Sequence, residues 1–128
     1  MQAEAICSAA VEALEDIKAE DITVLDVRSL STLFDYIIVA SAESTRQTRA
    51  FASNIHDKLK SIDASIIGIE GEDSGEWVLV DIGDVVVHIM QPAVRAYYNL
   101  EQLWGGETPQ SRSTTVPMAG IEQRATPA

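Results

Sequence analysis

Between Glu76 and Met90 the chain reads EWVLVDIGDVVVHIM, and few folds accommodate such a stretch. Gly83-Asp84 interrupts two β-branched runs and suits a two-residue type II′ loop, with glycine supplying the positive φ of its first position. That turn pairs Ile82 with Val85, Val80 with Val87, and Val78 with Ile89, and all six are apolar. The opposite face then carries Trp77, Leu79, Asp81, Val86, His88 and Met90. A slip by one residue would move every side chain to the wrong face. The spacing therefore predicts a hairpin with one core face and one mixed face.

Other segments supply partners for this hairpin. Ile6, Ala10, Ala13, Leu14 and Ile17 make one apolar stripe at helical spacing, predicting a helix from Ala3 to about Glu20. Ile22 to Val27 is rich in β-branched residues and reads as a strand. Asp35 to Ser41 contains the continuous run YIIVA, which suits a central strand covered on both faces. Ser44-Thr45-Arg46-Gln47 fits a capping box, opening a helix to Ser61 whose buried stripe is expected to be Thr48, Phe51, Ala52, Ile55, Leu59 and Ile62. Ser65 to Ile69 reads as a short strand, and strand, helix, strand in this order suggests a parallel crossover. Pro92 suits the first position of a last helix, closed by Gly105-Gly106. Its expected buried stripe is Ala93, Ala96, Tyr97, Leu100, Leu103 and Trp104, with Arg95, Tyr98, Asn99, Glu101 and Gln102 facing outward. The result is an α/β single domain over residues 1–105. Residues 106–128, rich in Pro, Ser, Thr and Gln, are expected to form a disordered tail dispensable for folding.

Charge restricts the partners. The 128 residues hold 9 Lys and Arg against 20 Asp and Glu, a net charge of −11. Nucleic acid is gripped mainly through Lys and Arg on phosphates, so direct DNA or RNA binding is disfavoured. From Glu70 to Asp84 stand six acids and no base, which reads either as a solvated hairpin or as a docking surface for a basic partner. No apolar run approaches the ~18–20 residues that span a bilayer. The first residues lack the basic region of a secretory signal, and the single cysteine, Cys7, excludes an intrachain disulfide. A cytoplasmic protein is expected.

No strong catalytic motif is present. Cys7 on an apolar helix face reads as packing, and His56 beside Asp57 as an exposed histidine. Asp26, Asp35, Asp81 and Asp84 raise the question of a magnesium site, but Asp81 and Asp84 flank a turn, where Asp commonly bonds its own backbone. Neither a cofactor nor a metal is expected. Trp77 and Tyr98 are the better interface anchors among the aromatics.

DYIIVAS (Asp35 to Ser41), STRQ (Ser44 to Gln47), EGE (Glu70 to Glu72), the hairpin and RAYYNLEQLW (Arg95 to Trp104) occur here in that order. In this combination the chain resembles the ribosomal silencing factor family, also called Iojap-like, over about residues 3 to 104. The resemblance implies a mixed five-stranded sheet flanked by helices, with nucleotidyltransferase-like topology and no enzymatic activity. It also implies binding to the large ribosomal subunit through the universal large-subunit protein fourteen, a basic protein at the intersubunit face. The bound factor would block subunit joining and repress translation under nutrient limitation. Trp77, Asp81, Asp84, His88, Arg95, Tyr98 and Glu101 are carried over as candidate partner-binding residues. A nucleotidyltransferase-like metal-dependent enzyme using Asp81, Asp84 and His88 is the alternative. The same aromatic surface could pair two copies as a homodimer when free.

Overall fold

In a computed structural model of the chain, residues 2–100 and the backbone of 114–117 are described. Helix α1 (Ala3–Asp16) leads into strands β1 (Glu20–Asp26) and β2 (Tyr36–Ser41), then helix α2 (Thr45–Ser61). Strands β3 (Gly68–Glu70), β4 (Trp77–Asp81) and β5 (Val85–Met90) follow, then helix α3 (Pro92–Tyr98) and strand β6 (Thr114–Pro117). The strands form one mixed sheet in the order β3-β4-β5-β2-β1-β6. The expected α/β fold with five mixed strands is present, and β6 adds a sixth at the edge.

The hairpin has the register its alternation predicts. Val78 pairs with Ile89 and Val80 with Val87, and the Ile82 N–H donates to the Val85 carbonyl at 2.9 Å. Val78, Val80, Ile82, Val85, Val87 and Ile89 are all buried. They join Ile38, Ala40, Leu14, Phe51, Ile55 and Leu59 in the main core, beneath α1 and α2. All six residues of β2 are buried because a second, smaller core covers its other face. That core comprises Leu25, Val27, Ile37, Val39, Met90 and Leu100, with Val94, Trp77 and Tyr98 packed at its margin. At ~25 cal/mol per Å² of apolar surface removed from water, burial on both faces makes β2 a substantial contributor to stability.

Helix α2 begins as its capping box predicts. The Ser44 hydroxyl accepts from the Gln47 N–H at 3.2 Å, but the Gln47 side chain reaches back to the Glu43 N–H at 2.6 Å, one residue before the cap. The first bond satisfies a donor that an uncapped helix start leaves orphaned, and the second pairs the backbone N–H just ahead of the cap.

Three expectations need correction. First, β2 and β3 run parallel, as a crossover requires, but they are not neighbours: the β4–β5 hairpin lies between them, and β5 pairs parallel with β2. Second, α3 ends at Tyr98, where Asn99 takes a left-handed conformation with φ 49°, short of the expected glycine stop. The helix also presents a different face. Arg95 is buried and Tyr98 half-buried, whereas Ala93, Ala96 and Tyr97 are exposed. Alanines carry too little apolar surface to set the phase of a seven-residue helix against an arginine with fixed acceptors. Third, the segment expected to be wholly disordered contains β6, whose Thr114 to Pro117 pair parallel with Thr23 to Asp26. Its sequence TTVP offers three consecutive β-branched residues, and Pro at the last position of an edge strand forfeits no ladder bond needed further on. Glu101, Leu103, Trp104 and the rest of the tail lie outside the described residues.

Candidate functional site

The mixed face of the hairpin carries the densest grouping of the expected residues. Trp77 and His88 lie on adjacent strands one diagonal step apart, since Trp77 pairs with Met90 and Leu79 with His88. The Trp77 indole Nε1–H donates to His88 Nδ1 at 2.9 Å. The Trp77 ring meets the Tyr98 ring at 4.7 Å between centroids, tilted by 48°, and Tyr98 meets Tyr97 edge-on at 4.9 Å. Tyr97 is 80% exposed, so the aromatic row runs from the sheet out to solvent. Burial pushes the His88 imidazole down to about 4, so it is neutral at pH 7. Trp77, His88, Leu79, Glu70 and Gly71 line a shallow groove of about 270 Å³.

The acid-rich loop between β3 and β4 stands at one end of this groove, and α2 holds it by its backbone. Arg49 donates through Nε and Nη2 to the carbonyls of Glu72 and Asp73, each at 2.9 Å. The hydroxyls of Thr45 and Thr48 donate to the carbonyls of Ser74 and Gly75 at 3.0 and 2.8 Å. The Gln91 amide adds a bond to the Gly75 carbonyl at 3.1 Å. Gly71 has φ +90°, and a Cβ there would stand 2.1 Å from the Trp77 carbonyl oxygen. The carbonyls are thus consumed by α2 while Glu70, Glu72, Asp73 and Glu76 remain exposed. Sequence reasoning missed Thr45, Thr48, Arg49 and Gln91 as clamps. The available signal was the pair of glycines, Gly71 and Gly75, bracketing the acids.

Arg95, expected to be an outward contact, points inward. Its Nη1 donates to the Asp21 carbonyl and the Ser41 hydroxyl, both at 2.7 Å, and its Nη2 to the Thr23 hydroxyl at 3.3 Å. Asp21 sits in a left-handed conformation, φ 50°, at a register shift in β1, which aims its carbonyl at the guanidinium. Arg95 thereby ties α3 to β1 and β2, and α3 brings Tyr98 to Trp77.

The two hairpin aspartates differ in role. Asp81 Oδ1 accepts from the Gly83 N–H at 2.9 Å, and Gly83 has φ +95°. Asp84 is exposed, and its carbonyl accepts from the N–H groups of Asp35 and Tyr36 at 2.7 and 3.2 Å. Asp26 is paired with Arg28, whose Nε donates to Oδ1 at 2.9 Å, and this hydrogen bond holds the carboxyl below its usual range. Among the described residues no group of three or more His, Cys, Asp or Glu is placed to hold a metal ion. Burial pushes the Cys7 thiol up to about 11, the reverse of what an activated nucleophile needs. His56 is exposed beside Asp57, its Nδ1 3.5 Å from the carboxylate. Glu101 lies outside the described residues. Of the seven candidates, then, Trp77, His88 and Tyr98 come together, Asp81 bonds within the turn, Asp84 is exposed beside it, and Arg95 is buried against β1 and β2. No described helix is long and apolar enough to cross a membrane.

Comparison with known proteins places the chain among its relatives. The family model described as "Ribosomal silencing factor during starvation" matches residues 1–128. A protein of Chromobacterium violaceum named "Ribosomal silencing factor RsfS" is 54% identical over 109 residues, covering 85% of this chain and 89% of that protein. A crystal structure of a protein from that organism superimposes with a TM-score of 0.82 at 54% identity, covering 86% of this chain and 92% of the other. A mouse protein named "Mitochondrial assembly of ribosomal large subunit protein 1" is 35% identical over 97 residues, 73% of this chain and 42% of that protein. With the hairpin, the aromatic row and the clamped acidic loop all lying inside the matched region, the chain belongs to the ribosomal silencing factor family.

Proposed function

We propose that the protein silences translation by occupancy: it docks on the large ribosomal subunit through the universal large-subunit protein fourteen and stands where the small subunit would join. The observation that carries this reading is the half-buried Trp77–His88–Tyr98 cluster with exposed acids around it. Aromatic anchors at the centre of a patch with a charged rim are the usual anatomy of a protein interface. The net charge of −11 favours a basic protein as partner and disfavours bare RNA, whose phosphates would be repelled. The mouse relative's name points to the same ribosomal subunit. Blocking needs no turnover, so no catalytic group is required; the factor would work in the cytoplasm under nutrient limitation.

The test is cosedimentation with purified large subunits, followed by light scattering as small subunits are added. The wild-type protein should travel with large subunits and delay joining in proportion to occupancy. Trp77→Ala, checked for folding by circular dichroism, should lose on the order of 2–4 kcal/mol of binding, a thirtyfold to thousandfold weakening. Rising salt should weaken the wild-type complex, because the acidic rim attracts its partner through screened charge. A protein that binds assembled ribosomes as tightly as free large subunits would overturn the proposal.

A further inference from the structure

The polarity of the groove between Glu70 and Trp77 is set by one atom. His88 Nδ1 is occupied as an acceptor, because an indole N–H can only donate. A neutral imidazole carries a single proton, so that proton stands on Nε2, and burial keeps the ring neutral. Every sealed side-chain nitrogen and oxygen among the described residues has a hydrogen-bond partner. Nε2 makes no hydrogen bond within the described chain and is therefore open to its surroundings, in a ring that lines the groove. Trp77 and Leu79 form apolar walls beside it, and Glu70 stands exposed at the rim.

We infer that His88 is a fixed hydrogen-bond donor on the groove floor, and that the ribosomal partner fills the groove with an uncharged acceptor, a main-chain carbonyl or a side-chain hydroxyl, and not with a Lys or Arg head group. Lysine and arginine carry donors only, so their heads would set N–H against N–H at Nε2. A desolvated pocket with its donor left unmatched rejects the wrong group strongly, since the unpaired donor keeps its full desolvation cost. The cations of a basic partner belong on the acids outside the groove. The groove therefore fixes register, while the acidic rim supplies long-range attraction. This inference rests on the proposed docking face and deepens it by naming the chemistry at its centre.

Two variants test it in the full chain. His88→Gln offers an oxygen to accept from Trp77 and an amide N–H to donate, so it should restore both roles. His88→Met fills a similar volume and can do neither. Binding to purified large subunits should fall by less than threefold for His88→Gln and by more than tenfold for His88→Met. The loss in His88→Met should be the same at low and high salt, because the missing bond is to a neutral group, whereas the shared acidic rim keeps the salt slope unchanged. Long-range nitrogen–proton spectra of the free wild-type protein should show the proton on Nε2 at pH 7. A proton on Nδ1, equal binding by His88→Met, or a salt slope that changes with the substitution would overturn the inference. If wild-type protein binds no large subunits, the docking proposal itself fails; if wild type binds and His88→Met binds equally, only the inference about the groove does.

Discussion

Arg95 offers the sharpest measure of how the aromatic face is held. Replacing it with alanine takes away the donor shared by the Asp21 carbonyl and the Ser41 hydroxyl, and the weaker bond to Thr23. Ser41 and Thr23 are 5% exposed or less, so water reaches their vacated hydroxyls poorly, whereas Asp21 is exposed and its carbonyl can be rehydrated. Each buried group left without its partner costs about 1–3 kcal/mol, and relief from burying a cation offsets part of that sum. Arg95→Ala should therefore destabilise the fold by about 2–4 kcal/mol. Arg95→Lys keeps one nitrogen for the Asp21 and Ser41 acceptors but loses the second bond, to Thr23, and the rigid planar fork, and should lose about 1–2 kcal/mol. Urea unfolding followed by far-ultraviolet circular dichroism gives both values. Near-ultraviolet dichroism should weaken at the same time, because α3 no longer presses Tyr98 onto Trp77. A contrary result is easy to recognise. If Arg95→Ala unfolds within about 0.5 kcal/mol of wild type yet no longer binds large subunits, Arg95 touches the partner directly and the tether described above is wrong.

Trp77→Ala should lower stability by about 2 kcal/mol in the same urea assay, the sum of one hydrogen bond and one aromatic contact at a half-buried position; an unchanged midpoint would mean the ring is not held by His88 and Tyr98. Val87→Asp should give insoluble or molten protein while Val86→Asp folds, since Val87 is wholly buried and Val86 half-exposed; the opposite outcome would shift the hairpin by one residue. Gly71→Ala should cost several kcal/mol by thermal unfolding, because its Cβ meets the Trp77 carbonyl and its φ is positive. Because His88 in the folded protein titrates near 4 and ordinarily near 6.5, the unfolded chain takes up its proton first as pH falls. Stability should thus be complete above pH 6.5 and decline by on the order of 2–3 kcal/mol toward pH 4, a decline His88→Gln should remove.

Strand residues with strict alternation are legible in the sequence alone. Val78, Val80, Val87 and Ile89 can satisfy only one register, and the run YIIVA can be buried only at the centre of a sheet. The capping residues of α2 are legible too, because Ser44 and Gln47 act through local backbone. What escapes depends on partners far away in sequence. Arg95 looks like a surface residue until Asp21, in its left-handed kink, turns a carbonyl toward it from 74 residues away. The clamps on the acidic loop are ordinary polar residues whose partners are carbonyls, which leave no mark in composition. Trp77 and Tyr98 are recognisable as interface aromatics, but their mutual contact and the bond to His88 depend on how α3 lies on the sheet.

The sheet's two borders have a consequence for self-association. One border is β3, three residues long, and the other is β6, four residues long and ending in proline. Short borders make poor templates for a passing strand from another molecule. Behind β6 stands β1, seven residues long, whose outer backbone would otherwise be available along most of its length. A chain cut before Thr114 would keep both cores and the whole aromatic face, and its solubility at high concentration would be the property to suffer. On this reasoning the tail strand is expected to act as a bumper between neighbouring copies, and removing it should promote pairing along β1.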